Sequence, residues 1–93
     1  MTVYVDQLFR TSPGPRWPYR QACHLLADSV EELHVFARRI GLKREWFQER
    51  NHLAHYDLTA GMRRKAIAAG AVQVTETRLR KLVRQLDRRR PQQ

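Results

Sequence analysis

The chain alternates short apolar runs with longer amphipathic stretches. Thr2-Val3-Tyr4-Val5-Asp6 is β-branched and aromatic and stays uncharged until its last residue, which predicts a strand. Such a strand is most easily buried in the middle of a sheet. Gln7–Arg20 holds Pro13, Gly14, Pro15 and Pro18 and reads as a loop. Cys23–Ala27 is mostly apolar and of strand length. Ser29, with Glu32 three residues later, is a capping-box signature, so a helix begins directly after Asp28. Val30, Leu33, Ala37 and Ile40, with Phe36 beside them, form its buried stripe, and Gly41 ends it.

Leu42–Arg50 predicts a second short helix with Trp46 and Phe47 as its apolar pair. Asn51–Ala54 reads as a loop, and His55-Tyr56-Asp57-Leu58 leads into a helix capped by Thr59, with Met62, Ala66, Ile67 and Ala69 on its apolar side. Gly70 closes that helix, and Ala71–Val74 is the third strand candidate. Thr75 caps a last helix running to about Arg88, with Leu79, Leu82, Val83 and Leu86 inward. Strands separated by helices predict an α/β fold, a small Rossmann-like, three-stranded, mostly parallel sheet packed by about four helices.

Ninety-three residues make one domain, expected over residues 1–87, with 88–93 a basic disordered tail. A chain this short buries only about 60–65% of its unfolded surface, so its core is small. It has no run of 18 apolar residues for a membrane span and no signal-peptide pattern at its start. Cys23, the one cysteine, lies in an apolar run. That suggests a packed thiol in a reducing cytoplasm, and the expected location is cytoplasmic.

Net charge is +9 and uneven. Residues 1–57 hold eight Lys/Arg and seven Asp/Glu (8 − 7 = +1), whereas residues 58–93 hold ten and two (10 − 2 = +8). A basic segment on a near-neutral body points to nucleic acid or another polyanion, and equally to a solubilising tail. In the proline-rich loop, Phe9, Trp17 and Tyr19 alternate with Arg10, Arg16 and Arg20. Single-stranded nucleic acid or a flat anion uses such a mixture, by stacking and phosphate contact. Folding back of Trp17 over a small core is the plainer reading of that ring. Arg16, Trp17, Arg63, Arg64, Arg80 and Arg84 are the candidate phosphate or nucleic-acid contacts.

The candidate catalytic set is Asp6, Asp28, His34, His55, Tyr56 and Asp57. If the first two strands are parallel neighbours, Asp6 and Asp28 emerge at one sheet edge and can hold Mg²⁺ or Mn²⁺ against a phosphate, with His34 as a third ligand. His34 or His55 would move protons. Each residue also has a structural reading. Asp28 and Asp57 favour helix starts, His34 borders an apolar stripe, and Tyr56 fits a core position. Within Cys23–Asp28, His24 and Asp28 share a face but stand about 13 Å apart in an extended strand. There is no zinc-type Cys/His quartet, no Gly-x-Ser-x-Gly, no P-loop and no Gly-x-Gly-x-x-Gly.

Tyr4-Val5-Asp6, Ala27-Asp28, Glu32-Leu33-His34, Phe36-Ala37, Ile40-Gly41-Leu42, Trp46-Phe47-Gln48, His55-Tyr56-Asp57-Leu58, Arg64 and Gly70-Ala71 occur in order. Together they resemble the pattern of a small bacterial and phage family, domain-of-unknown-function family 4031. The resemblance covers about residues 2–75, leaves the basic last helix outside, and implies a free-standing domain. It supplies no activity, cofactor or catalytic residue. The functional expectation is a nucleic-acid-associated domain, with a metal-dependent phosphodiesterase or nuclease as its catalytic form. The alternatives are a non-catalytic module, adaptor or inhibitor recognising an anionic ligand or a protein, and a self-associating homodimer. No membrane partner is expected.

Overall fold

The structure is a computed structural model and describes residues 2–50 and 53–89, the side chains of Arg50 and of residues 86–89 excepted. The strands are β1 (Val3–Val5), β2 (Phe9–Arg10), β3 (Gln21–Ala27), β4 (Gln48–Arg50), β5 (Leu53–Leu58) and β6 (Val72–Gln73). The helices are α1 (Val30–Arg39), α2 (Ala60–Ala68) and α3 (Glu76–Arg89), with a 3-10 turn at Arg44–Trp46. Positions 51 and 52 of the expected loop, and 90–93 of the expected tail, lie outside the described residues.

The α/β class stands, but the sheet differs from the one expected. It has six strands in the order β4-β5-β3-β1-β6, with β2 also paired to β3. Every pairing is antiparallel except β1 with β6. A parallel pair needs a long crossover, usually helical, whereas antiparallel strands accept a simple loop. Gln7–Arg20 contains no helix, so β1 and β3 form an antiparallel hairpin, with Val3 opposite Ala27 and Val5 opposite Leu25. β2 continues the same side of the hairpin, with Phe9 opposite Ala22.

The second correction concerns residues 42–58. Trp46-Phe47 does not sit on a helix beyond the 3-10 turn. The chain instead turns into β4, and the His-Tyr-Asp run forms β5, which pairs with both β4 and β3. Three α-helices are therefore present among the described residues, not about four.

The period of two sorts the sheet into two faces. Val3, Val5, Cys23, Leu25, Ala27, Tyr56 and Leu58 face one way and join Leu33, Phe36 and Ala37 of α1, Ile40 just after it, and Ala66 of α2 in the main core. Tyr4, Asp6, His24, Leu26, His55 and Asp57 alternate to the other face. The sequence thus builds an apolar face under two helices and a face rich in titratable groups.

The local signals locate the helix ends correctly. Ser29 Oγ accepts from Glu32 N at 3.1 Å, Thr59 Oγ1 from Met62 N at 3.2 Å, and Thr75 Oγ1 from Arg78 N at 3.2 Å. Gly41, at φ 91°, ends α1 in a left-handed turn: its N–H bonds Arg38 O and the next N–H, that of Leu42, bonds Ala37 O. No described helix is long and apolar enough to cross a membrane.

Candidate functional site

The antiparallel hairpin separates Asp6 from Asp28. Asp6 stands beside His24 and Asp28 beside Thr2, four residues away along β3, roughly 13 Å apart. They form no common carboxylate pair, and the expected Asp6–Asp28–His34 metal set does not assemble. Asp28 is occupied structurally. Its two oxygens accept from Thr2 N at 3.0 Å and Tyr4 Oη at 2.8 Å. Burial, then the bond to Asp28, pushes the Tyr4 phenol up.

His34 is also elsewhere. It rises from α1 to Tyr56, which lies on the core face of β5, and its Nδ1 is 2.9 Å from Tyr56 Oη. Burial and then the nearby Arg44 charge hold its pKa below the usual histidine range. Burial keeps the Tyr56 phenol protonated to higher pH than usual. Tyr56, 1% exposed, is a core residue with a bonded hydroxyl.

A different group converges on the opposite face. The β3–β5 register sets His24 directly against Asp57, and His55 lies two residues from Asp57 on the same side. One ligand atom from each of His24, His55 and Asp57 falls within 4.8 Å of the others. The imidazole rings meet edge to face with centroids 5.1 Å apart. His55 is buried, while the side chains of His24 and Asp57 keep 25% and 27% of their surface exposed. The cluster is thus walled on one side and open to solvent on another.

The surrounding contacts set the imidazole orientations. Asp6 Oδ2 lies 2.6 Å from His24 Nδ1, and Asp6 Oδ1 accepts the His24 backbone N–H at 2.5 Å. The carboxylate stands in for a ladder carbonyl where the β1–β2 run is interrupted. Arg63 Nε donates to the Asp6 carbonyl at 2.9 Å and Arg63 Nη2 to Gln73 Oε1 at 3.3 Å, tying α2 to the strand ends. His55 Nδ1 lies 3.0 Å from Leu53 O, an acceptor, so this nitrogen carries the proton. Nδ1 is thus engaged in both rings, an arrangement common behind histidine metal ligands, and Nε2 of His55 lies 3.5 Å from Asp57 Oδ1.

Asp57 Oδ1 is 3.5 Å from His55 Nε2, and Asp57 Oδ2 accepts from Gln48 Nε2 at 2.6 Å. Burial pushes the Asp57 carboxyl up, but the bonds from His55 and Gln48 outweigh it and hold its pKa below the ordinary carboxylate value. Cys23 sits next to His24 but on the core face, and burial, then the Asp6 charge, push its thiol up to about 12. It therefore stays protonated and supplies no thiolate ligand.

These shifts fix a pH dependence. His34 binds a proton less readily folded than unfolded, so stability falls as pH drops below about 6.5. The Asp57 contribution is complete above the unfolded carboxylate value of about 3.9 and is lost as pH falls through the lower folded value. Urea unfolding as a function of pH is expected to show two acid-side losses. His34→Gln should flatten the first and Asp57→Asn the second, and unchanged slopes would refute the assignment.

The candidate phosphate contacts do not gather at one place. Arg63 is engaged in structure, Arg64 is exposed on α2, and Arg80 pairs with Glu76 at 2.9 Å on exposed α3, where Arg84 is exposed too. Arg10 and Arg20 line a hollow of about 830 Å³ with Tyr19 and Thr59. His24 is the residue that the sequence pattern misses. Its signal is its place within a strand next to a loop too proline-rich for a helical crossover.

No curated protein and no solved structure matches this chain. A family model described as a protein of unknown function, DUF4031, matches residues 3–86 and so reaches into α3, beyond the stretch in which the pattern is legible by eye. The chain belongs to the DUF4031 family.

Proposed function

We propose that this domain binds a divalent transition metal through His24, His55 and Asp57 and acts as a metal-dependent phosphodiesterase on nucleic acid. The observation that carries the reading is the convergence of two imidazoles, each with Nδ1 already committed, on one carboxylate whose pKa is depressed. Two nitrogens and one oxygen suit Mn²⁺, Zn²⁺ or Fe²⁺ better than Mg²⁺, which prefers oxygen ligands and retained waters. Of the two ions expected from the sequence, Mn²⁺ is the one that fits. The partial exposure of His24 and Asp57 would let water or substrate reach a metal held there, as at catalytic rather than structural sites. A metal held by His24, His55 and Asp57 would activate water and neutralise charge on a phosphoryl oxygen. Asp6 orients His24, and Gln48 orients Asp57. The polyanionic substrate is supported by the +9 net charge and by Arg10 and Arg20 around a hollow that shares Tyr19 and Thr59 with a groove lined by Asp57.

The test is direct. Labelled single-stranded and duplex RNA and DNA are incubated with the protein in Mn²⁺, Zn²⁺, Mg²⁺ or EDTA. Cleavage is expected with Mn²⁺ or Zn²⁺, absent in EDTA and abolished by His55→Ala. Intact substrates in every metal would defeat the hydrolase reading and leave a metal-binding module.

A further inference from the structure

Trp46 and Tyr19 are large rings left 48% and 50% exposed in a domain with little apolar surface to spare. They face a groove of about 730 Å³ between the proline-rich loop and the 3-10 turn, also lined by Arg16, Trp17, Gln48 and Asp57. The loop side of this groove is built rather than loose. Thr11 N donates to Arg20 O at 2.9 Å, Thr11 Oγ1 donates to Tyr19 O at 2.7 Å, and the Trp17 indole N–H donates to Gln21 O at 3.1 Å. Trp17 meets Tyr19 edge to face at 5.1 Å, so Tyr19 is braced with half its surface open. On the other side, Lys43 Nζ stands 5.6 Å from the Trp46 ring centroid.

The groove is shared with the chemistry. Asp57 belongs both to its lining and to the histidine cluster, and Gln48, also in the lining, donates to Asp57. Tyr19 also borders the hollow that holds Arg10 and Arg20, so one ring separates a groove with aromatic walls from an arginine-lined one. The groove itself is lined by Arg16, Glu45 and Asp57, the last the proposed metal ligand, and the hollow beyond Tyr19 adds Arg10 and Arg20 and, among the described residues, no acid, so three arginines stand against Glu45 across the two.

We propose that this groove takes one strand of nucleic acid, with bases stacking on Trp46 and Tyr19 and backbone phosphates held by Arg16 in the groove and by Arg10 and Arg20 in the hollow beyond Tyr19. The inference rests on the phosphodiesterase reading and names its substrate as single-stranded. A duplex keeps its base faces stacked inside, so it cannot use the two rings. Stacking on an aromatic side chain tolerates any base, and selectivity by strand state rather than by sequence follows.

The experiment is fluorescence anisotropy in EDTA, which prevents turnover, with fluorescein-labelled oligouridylate, oligothymidylate and a duplex of equal length. Both single strands should bind more tightly than the duplex and quench tryptophan emission, and the RNA and DNA arms show whether the sugar matters. Trp46→Ala and Tyr19→Ala should each weaken single-strand binding about tenfold, Trp46→Phe less. Mn²⁺ binding and melting temperature of both alanine variants should match the parent, which a merely structural role would not allow. Equal or tighter duplex binding, or unchanged affinity in both variants, overturns the proposal. So does an absence of oligonucleotide binding with a molar mass that falls on Trp46→Ala, since the rings would then serve contact between copies. Single-strand binding without cleavage in any metal removes the hydrolase reading and leaves the groove. Cleavage unaffected by both variants does the reverse.

Discussion

His24→Ala is expected to weaken Mn²⁺ and Zn²⁺ binding by more than about 100-fold, since even the outer partners of a metal ligand are worth about 10–100-fold. The substitution removes one of the two imidazoles that the described residues bring to the cluster and leaves Asp6 without its 2.6 Å partner. Asp6→Asn should cost less, about 10–100-fold, because the amide oxygen still accepts the His24 backbone N–H while the ring loses its carboxylate. Asp28→Asn is the control. It lies at the other end of the hairpin, held by Thr2 and Tyr4, and should leave metal affinity unchanged. Titration calorimetry on metal-free protein, with melting curves to confirm folding, makes the comparison. Parent-like affinity in His24→Ala, or a large loss in Asp28→Asn, would return the centre to the carboxylates and away from β3 and β5. Affinity in the parent should also fall on acidification, because protons and metal compete for the same ligand atoms.

Leu25→Ala is expected to destabilise the fold by about 2–5 kcal/mol. Leu25 is fully buried on β3, between Val5 of β1 and Tyr56 of β5, under both helices. A domain of this length has a total stability of only about 5–14 kcal/mol, so one truncation removes a large share. The urea midpoint should fall with little change in slope, and the melting temperature by about 10 °C or more. A loss under about 1 kcal/mol would mean that the core is not organised around β3.

What the residues reveal without coordinates divides along local and non-local lines. Ser29, Thr59, Thr75, Gly41 and Gly70 mark helix ends through bonds to residues a few positions away, and each mark is legible by itself. β5 is harder. Leu53-Ala54-His55-Tyr56-Asp57-Leu58 alternates as a strand only when His55 and Asp57 are taken as one polar face, and they have that face because they converge with His24. Trp46-Phe47 reads as a helical pair because nothing local shows that β4 will begin at Gln48. The parallel assumption for β1 and β3 has the largest effect, since it brings Asp6 to Asp28 and hides Asp6 beside His24. Register across strands depends on which way each strand runs, and only the helix-free, proline-rich connection carried that information. Asp6, His55 and Asp57 thus belong to the observed cluster or its support, while Asp28, His34 and Tyr56 hold the fold.

The bond from Thr11 N to Arg20 O is the last rung before the chain leaves the ladder, and the eight intervening residues hang beyond it. His24 and Asp6 are fixed further along the same hairpin by contacts that involve none of those eight. Address and chemistry are therefore modular here. Rewriting positions 12–19 would replace Arg16, Trp17 and Tyr19 in the proposed gripping wall while the proposed ligand geometry behind it stays as it was.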